Sequence, residues 1–206
     1  MTHENNDRID LAMITNLVTP EAKVLDIGCN DGTLLKMLEN QKSVDGRGIE
    51  ISQKGVNNCV ALGLSVIQGD ADHDLVYYPD NSFDFVILSQ TIQATRNTKT
   101  VLEELLRIGK YCIVSAPNFG HWRMRAQLLI QGRMPVTKSL PYSWYDTPNI
   151  HFCTFEDLKD LCHEVNAEIQ SINVLSDTGR DITKIAPKPL WNLLAQQSVF
   201  LLKGSN

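Results

Sequence analysis

The sequence lacks the features that mark several common classes of protein. No stretch approaches the run of about 18 apolar residues that predicts a membrane-spanning helix, and the polar first residues do not resemble a signal peptide. Its five cysteines are odd in number and scattered, and none forms a Cys-x-x-Cys pair. We therefore expect neither a disulfide framework nor a metal site, and predict a cytoplasmic protein.

An excess of positive charge is also missing. The formal net charge is -5, which argues against general binding to nucleic acid or to an anionic membrane. With 206 residues, 43% of them hydrophobic and 21% charged, the chain suits a single domain over residues 1–206 that buries a substantial core.

Strand and helix patterns alternate through the first part of the chain. Short apolar runs predict strands at residues 23–27, 46–51, 64–68, 83–88 and 111–115. Helical spacing occurs at residues 8–18, with Asp7 as cap, and at 33–40, 52–62 and 97–108. This alternation predicts an α/β protein with a parallel sheet covered on both faces. A capping-box sequence at Thr154–Asp157 then predicts a helix to about Val165, followed by strands at 168–175 and 198–202.

A glycine-containing turn, Asp26–Gly32, follows the first predicted strand. Gly28 and Gly32 can adopt positive φ and leave room for a ligand at the carboxyl end of the sheet. The spacing is not Gly-x-Gly-x-x-Gly, so the dinucleotide fingerprint is absent. Alone, the segment is weak evidence for a ligand site, because an ordinary strand-to-helix turn is an alternative.

Acidic residues end the next two strands. Glu50 is placed to accept hydrogen bonds from both hydroxyls of a ribose, although a solvated carboxylate is an alternative. Asp70 and Ala71, after the third strand, offer a carboxylate and a backbone amide to an adenine edge. Three consecutive strand ends thus supply the parts of an adenosine pocket in order.

With Ser82-Phe83-Asp84 at the start of strand four, these segments resemble class I methyltransferases that use S-adenosylmethionine (AdoMet). The resemblance implies a Rossmann-like seven-strand sheet of order 3-2-1-4-5-7-6 with strand seven antiparallel, and AdoMet or S-adenosylhomocysteine as ligand. The cofactor-binding residues that it implies are Asp26, Gly28, Cys29, Asn30, Gly32, Glu50, Ile51, Asp70, Ala71 and Ser89. It identifies no catalytic residue.

A narrower resemblance, to the methionine biosynthesis protein MetW, rests on three further segments. They are Ser89–Thr95, Ser115–Trp122 and, above all, the aromatic run Leu140–His151. This resemblance implies a role in methionine synthesis together with the homoserine O-acyltransferase MetX, and leaves open whether a methyl group is transferred. The chain departs from the family at Asn30, where glycine is usual. Asparagine tolerates the left-handed conformation, so the turn can form, but its side chain can crowd the ligand.

The segment at about 117–150 interrupts the strand–helix rhythm and is predicted to be a loop or helix insert. Its basic residues, all before Asp146, are Arg123, Arg125, Arg133 and Lys138. They form either a positive face for an acidic partner or anionic substrate, such as a docking site for MetX over 118–150, or a solvated surface. The aromatic side chains Trp122, Trp144 and Tyr145 suit a lid or an interface equally.

Two histidines and one cysteine have competing interpretations. His121 and His151 are placed to act as general bases or to serve structure, and Cys29 is interpreted as a small packing residue, not a nucleophile. Three functions remain: an accessory subunit of homoserine O-acyltransferase that senses AdoMet, an active small-molecule methyltransferase, or a fold that has lost its ligand.

Overall fold

The computed structural model describes residues 9–137 and 140–204. The proposed cap Asp7, the helix start at Arg8 and the basic residue Lys138 lie outside the described residues. The strands are β1 (Lys23–Ile27), β2 (Asp45–Glu50), β3 (Ser65–Gln68), β4 (Phe83–Ser89), β5 (Gly109–Pro117), β6 (Ala167–Leu175) and β7 (Gln197–Gly204). The helices are α1 (Ile9–Leu17), α2 (Thr33–Lys42), α3 (Gln53–Ala61), α4 (Thr98–Ile108), α5 (Trp122–Gln131), α6 (Phe155–Glu164) and α7 (Trp191–Leu194).

The seven strands form one sheet in the order β3-β2-β1-β4-β5-β7-β6. The pairs from β3 to β5 are parallel, whereas β7 runs antiparallel to both β5 and β6. This confirms the predicted α/β fold and its strand order. Because β1 to β4 end at the same edge of the sheet, their carboxyl ends meet in one place.

Apolar side chains from alternate positions of the central strands fill both faces of the sheet. Val24, Phe85 and Ile87 pack in a cluster with residues of α1 and α2. Leu25, Val86 and Leu88 belong to the larger cluster on the opposite face, with residues of α4 and α6. The helices therefore cover both faces, and the rigid sheet holds the strand ends in fixed positions.

The predicted capping box is confirmed, whereas the bounds of helix α5 within the insert and the short helix α7 were not predicted. Thr154 and Asp157 exchange side-chain and backbone hydrogen bonds at the start of α6. The bounds of α5 could not be predicted from the sequence. Only Met124 of its residues is buried, so the helix has no apolar stripe of helical period. The short α7 lies in the proline-containing connection before β7. In the described part of the chain, no helix is long and apolar enough to cross a membrane.

Candidate functional site

The Asp26–Gly32 turn lies at the carboxyl end of β1 and is held there by the neighbouring strand. The amides of Gly28 and Cys29 donate to the carbonyl oxygen of Ile49, at 2.8 and 3.2 Å. Gly28, Asn30 and Gly32 have φ values of 71°, 51° and 79°. The asparagine thus adopts the left-handed conformation that the usual glycine would take, as the sequence analysis allowed, and the turn forms.

Substitutions at two glycines with positive φ distinguish the energetic cost of steric crowding from that of backbone strain. A Cβ at Gly28 would lie 2.7 Å from Oγ1 of Thr91, whereas one at Gly63, with φ of 78°, meets nothing within 4 Å. We expect Gly63→Ala to cost about 1–2 kcal/mol for the positive φ. Gly28→Ala should cost about 1–3 kcal/mol more, because the methyl group displaces Thr91. Urea unfolding of the two variants measures the difference, and equal losses would contradict the crowding.

Glu50 lies at the end of β2 and is tied to the turn. The side chain is 7% exposed. Its Oε2 accepts from the amide of Asn30 and its Oε1 from the amide of Ser52, both at 2.8 Å. A carboxylate offers about four acceptor positions, so both oxygens retain capacity for a ligand hydroxyl. These two amides were not among the predicted contacts, since a strand-end carboxylate gives no sequence sign of its backbone partners.

Exposed apolar surface and further polar groups lie beside Glu50. Ile51 is 64% exposed, although isoleucine is usually buried. At the end of β3, Oδ1 of Asp70 accepts from the amide of Asp72 at 2.9 Å, and the amide of Asp70 donates to Asp74. Ala71 is partly buried against the core. An aromatic ring that covered Ile51 would remove this apolar surface from water while its polar edge faced Asp70.

Ser89 belongs to a buried polar cluster at the ends of β4 and β5. Its hydroxyl donates to Oδ2 of Asp10 at 3.1 Å, and that of Ser115 donates to the same oxygen at 3.3 Å. Asp10, on α1, is fully buried. Sequence reasoning missed Asp10, because a carboxylate inside a helix gives no sign that the helix packs over a strand end. The cluster fixes α1 against the edge of the sheet that carries the turn.

The surroundings of Cys29 argue against a reactive role. It is buried with Leu35, Cys59 and Leu64 beneath the turn, and its Sγ lies 3.9 Å from Sγ of Cys59. Burial, followed by the negative charge of Asp26, raises the pKa of the Cys29 thiol far above its usual range. A protonated, covered thiol is a poor nucleophile, which agrees with its interpretation as a packing residue.

The residues at this edge fit an adenosine-type ligand such as AdoMet. The turn supplies backbone that a ligand can approach, Glu50 supplies a buried carboxylate for ribose hydroxyls, and Ile51 supplies exposed apolar surface for a base. The side chain of Asn30 is exposed and therefore free to rotate away from a ligand. Among residues 9–137 and 140–204, no group of three or more His, Cys, Asp or Glu side chains is arranged to hold a metal ion.

The insert presents apolar surface more than positive charge. Arg123 forms an ion pair with Asp177 at 2.6 Å, and Nε of Arg125 donates to the carbonyl oxygen of Gly120. By contrast, several large apolar side chains are solvent-exposed: Leu128, Leu129, Ile130, Val136, Tyr142, Trp144, Tyr145 and Ile150. Exposed apolar side chains that form one patch commonly mark sites of protein association. We call these eight residues the insert surface.

His121 is a buried cap of α5 and not a solvent-facing base. It is 2% exposed, and its Nδ1 accepts from the amide of Arg123 at 3.4 Å. Burial lowers its pKa below the ordinary value. His151 has an exposed side chain, with Nε2 at 3.4 Å from the carbonyl oxygen of Arg96.

The lowered pKa of His121 predicts an acid-sensitive insert. Below about pH 6.5 the unfolded chain takes up a proton at this position before the folded chain does, so stability falls as the pH decreases towards the folded pKa. His121→Asn keeps a capping oxygen but removes this titration. We expect thermal unfolding of the variant to vary less between pH 7.5 and pH 5 than that of the wild type. The exposed His163→Asn is the control; an unchanged pH dependence in His121→Asn would contradict the assignment.

Solved structures of several methyltransferases share this fold. A chain from the complex between the Haloferax volcanii Trm112 methyltransferase activator and a methyltransferase superposes with a TM-score of 0.72 at 16% identity, covering 98% of this chain and 91% of that one. A SAM-dependent methyltransferase from Thermotoga maritima gives a TM-score of 0.65 at 20% identity, with coverage of 97% and 89%. At these identities the likeness shows the fold alone.

Sequence comparisons are more specific. The bifunctional methionine biosynthesis protein MetXA/MetW of Rhodopirellula baltica is 32% identical in an alignment of 170 residues that covers 78% of this chain and 27% of that protein. The chain thus spans about a quarter of the length of this curated relative. The family model of the methionine biosynthesis protein MetW matches residues 8–202. The chain therefore belongs to the MetW family.

Proposed function

We propose that this protein binds AdoMet at the carboxyl ends of β1 to β3 and acts as an accessory subunit of homoserine O-acyltransferase (MetX). The observation that carries the proposal is the link between Glu50 and the turn: a buried carboxylate at the end of β2 is held at 2.8 Å from the amide of Asn30. A cytoplasmic location belongs to the same proposal, and the five free cysteines agree with a reducing compartment.

The adenosine half of AdoMet would be held by Glu50, Ile51 and Asp70, and its methionine half by the Asp26–Gly32 turn. Ribose hydroxyls would donate to the Glu50 carboxylate, and adenine would cover the exposed side of Ile51. When bound, AdoMet supplies an activated methyl group or serves as a regulatory ligand. The protein's own share is to bind and orient it and to exclude water, which requires no catalytic side chain.

The acyltransferase is proposed as partner because the Rhodopirellula relative combines MetXA and MetW in one protein. Proteins fused in one organism are held at high effective concentration, and separate chains need an interface to reach the same state. The insert surface is the proposed interface. Its aromatic residues include Trp144, which is 71% exposed, and Tyr145, which is 75% exposed. Tryptophan and tyrosine are enriched at protein–protein interfaces.

Regulation would follow if AdoMet had different affinities for the free and the complexed protein, because binding at one site then changes binding at the other. The test is the acyl-transfer rate of the same organism's enzyme with and without this protein, followed by titration with AdoMet. We expect a several-fold increase in rate on addition of the protein. Failure of the two proteins to associate at micromolar concentration would overturn the accessory role.

The alternative is an active small-molecule methyltransferase, favoured by the intact set of Asp26, Gly28, Gly32, Glu50 and Asp70. It predicts release of S-adenosylhomocysteine when the protein is supplied with AdoMet and metabolite pools. Because methyl transfer needs no particular side chain, the geometry leaves the acceptor unnamed. Turnover without any effect on acyl transfer would select this alternative.

A further inference from the structure

A cavity of about 490 Å³ lies between the first turns of α4 and α6. None of the residues predicted to bind AdoMet lines it. Its wall is formed by the segment after β4, the start of α4, the start of α6 and the end of the insert at His151. The volume falls within the range of about 300–1,000 Å³ that is usual for small-molecule sites.

One side of the cavity is apolar. Ile92 and Leu158 are 1% and 3% exposed and belong to the main core, and Leu161 packs against them. These three branched side chains are fixed by the sheet and by α6, so the apolar wall is preformed. An aliphatic chain placed against it would lose its contact with water at little cost in protein reorganisation.

The opposite rim is cationic. The exposed guanidinium of Arg96 makes no hydrogen bond or ion pair with any residue that the structure describes. Lys99 also lines the cavity, paired with Glu164 at 2.7 Å. The one carboxylate among the lining residues, Asp157, has an oxygen already engaged by the amide and hydroxyl of Thr154, both at 2.8 Å. Because Glu164 offsets the charge of Lys99 and Asp157 keeps its own, the preference of this rim for an anion rests on the free guanidinium of Arg96.

The first turn of α4 adds to this preference. Asn97 gives no side-chain cap, and its amide and that of Arg96 donate to the carboxylate of Asp72 at 2.8–3.1 Å. The next residues, Thr98 to Thr100, line the cavity and carry the unpaired amides of a helix start. The positive end of the helix dipole thus lies at the same rim as Arg96, and the carboxylate of Asp72 offsets part of it.

A buried acceptor marks the inner end. Gln93 lines the cavity and is 6% exposed, and its Oε1 has no hydrogen-bond partner among the described residues. Its Nε2 donates to the carbonyl oxygen of Gln90 at 2.7 Å, which fixes the amide orientation. Buried polar atoms nearly always have a partner, so this oxygen points to a hydroxyl or amino donor on a ligand.

We infer that this cavity binds a small aliphatic carboxylate that carries a hydroxyl or amino group. The carboxylate lies by Arg96 and the first turn of α4, the donor reaches Gln93 and the carbon chain covers Ile92, Leu158 and Leu161. Both guanidinium and helix amides favour a carboxylate over a neutral or cationic head. The inference does not depend on AdoMet or on the acyltransferase.

Binding is tested by titrating 2-hydroxyhexanoate, L-norleucine and hexylamine into the ¹⁵N-labelled full-length protein without AdoMet. We expect at least one of the two carboxylates to bind with a dissociation constant of about 1 mM or tighter, with shifts confined to residues 92–100 and 151–161. The tighter of the two identifies the donor as hydroxyl or amine. Hexylamine should not bind.

Arg96→Gln should weaken carboxylate binding at least about fivefold, since it removes a charge-assisted contact from an exposed residue and leaves the fold intact. Arg180→Gln, an exposed arginine that does not line the cavity, is the control and should bind as the wild type. The inference is overturned by no binding of either carboxylate, by equal binding of hexylamine, or by equal affinities of the Arg96→Gln and wild-type proteins. AdoMet titration of the same samples reports separately on the proposed function.

Discussion

Glu50→Ala is expected to weaken AdoMet binding by about 10- to 100-fold or more. Hydrogen bonds to a charged group contribute about 1.5–3 kcal/mol each, and about 1.4 kcal/mol corresponds to a tenfold change in affinity. The substitution removes the acceptor proposed for both ribose hydroxyls. It also removes the link to the amides of Asn30 and Ser52, so the turn is less well ordered before the ligand arrives. Isothermal titration with AdoMet measures the effect.

Two further variants make the result interpretable. Glu50→Gln keeps the shape and one acceptor oxygen, so it should bind with intermediate affinity even if the alanine variant is poorly folded. Glu168→Ala removes an exposed carboxylate from β6, at the opposite edge of the sheet from β2, and should bind as the wild type. Wild-type affinity in both Glu50 variants would exclude this strand end as the ribose site. A wild-type protein that does not bind AdoMet would favour the fold that has lost its ligand.

The alternation of strands and helices, and with it the parallel sheet, could be predicted because its determinants are local. Lys23–Ile27 and Phe83–Leu88 are apolar runs of strand length, and helical spacing between such runs restricts the connections to parallel crossovers. The strand order and the antiparallel direction of β7 came from the family resemblance and not from any local pattern. The structure then explains why this strand is tolerated at the centre of the β5-β7-β6 portion: Val199 and Phe200 bury their side chains on opposite faces of the sheet.

The site could be predicted only as a set of strand ends. The turn residues could be recognised in the sequence, since glycines and Asn30 favour positive φ, and the structure confirms this conformation. Contacts between distant segments cannot be recognised in this way. Asp10 reaches Ser89 across 79 positions of sequence, and Asp72 caps α4 across 24 to 25. No periodicity reports pairings of this kind, because they depend on how helices pack over the sheet.

The insert shows that the number of basic residues in a segment does not predict the charge of its surface. Its basic residues left a positive face and a solvated surface as alternatives, and the structure pairs Arg123 with Asp177 and directs Arg125 towards a backbone carbonyl. What the segment exposes instead is apolar. A surface helix is recognised by apolar residues that recur on one side only. A helix that a partner covers also carries apolar residues on its outer side, so this one-sided pattern is lost. The exposed apolar residues that made α5 hard to predict therefore support its proposed role as an interface.

Leu129→Asp is expected to weaken association with homoserine O-acyltransferase by about 30-fold or more, and Ile130→Asp should do the same. The two side chains are 87% and 80% exposed in the free protein, so the substitutions leave its fold intact. In the complex, a residue central to an interface contributes about 2 kcal/mol or more, and burying a carboxylate there adds a desolvation penalty. Loss of the complex should also abolish the increase in acyl-transfer rate.

Ile185→Asp is the matched control, because Ile185 is 80% exposed but lies in the connection between β6 and β7, outside the insert. Equal weakening by Ile185→Asp and Leu129→Asp would mean that added negative charge, and not the insert surface, opposes association. Wild-type binding by all three variants would place the interface elsewhere on the protein. If only the insert variants lose association with the acyltransferase, while the free protein keeps its AdoMet affinity, partner binding is assigned to the insert surface and ligand binding to the strand ends. Regulation by AdoMet requires that two such separate regions be coupled.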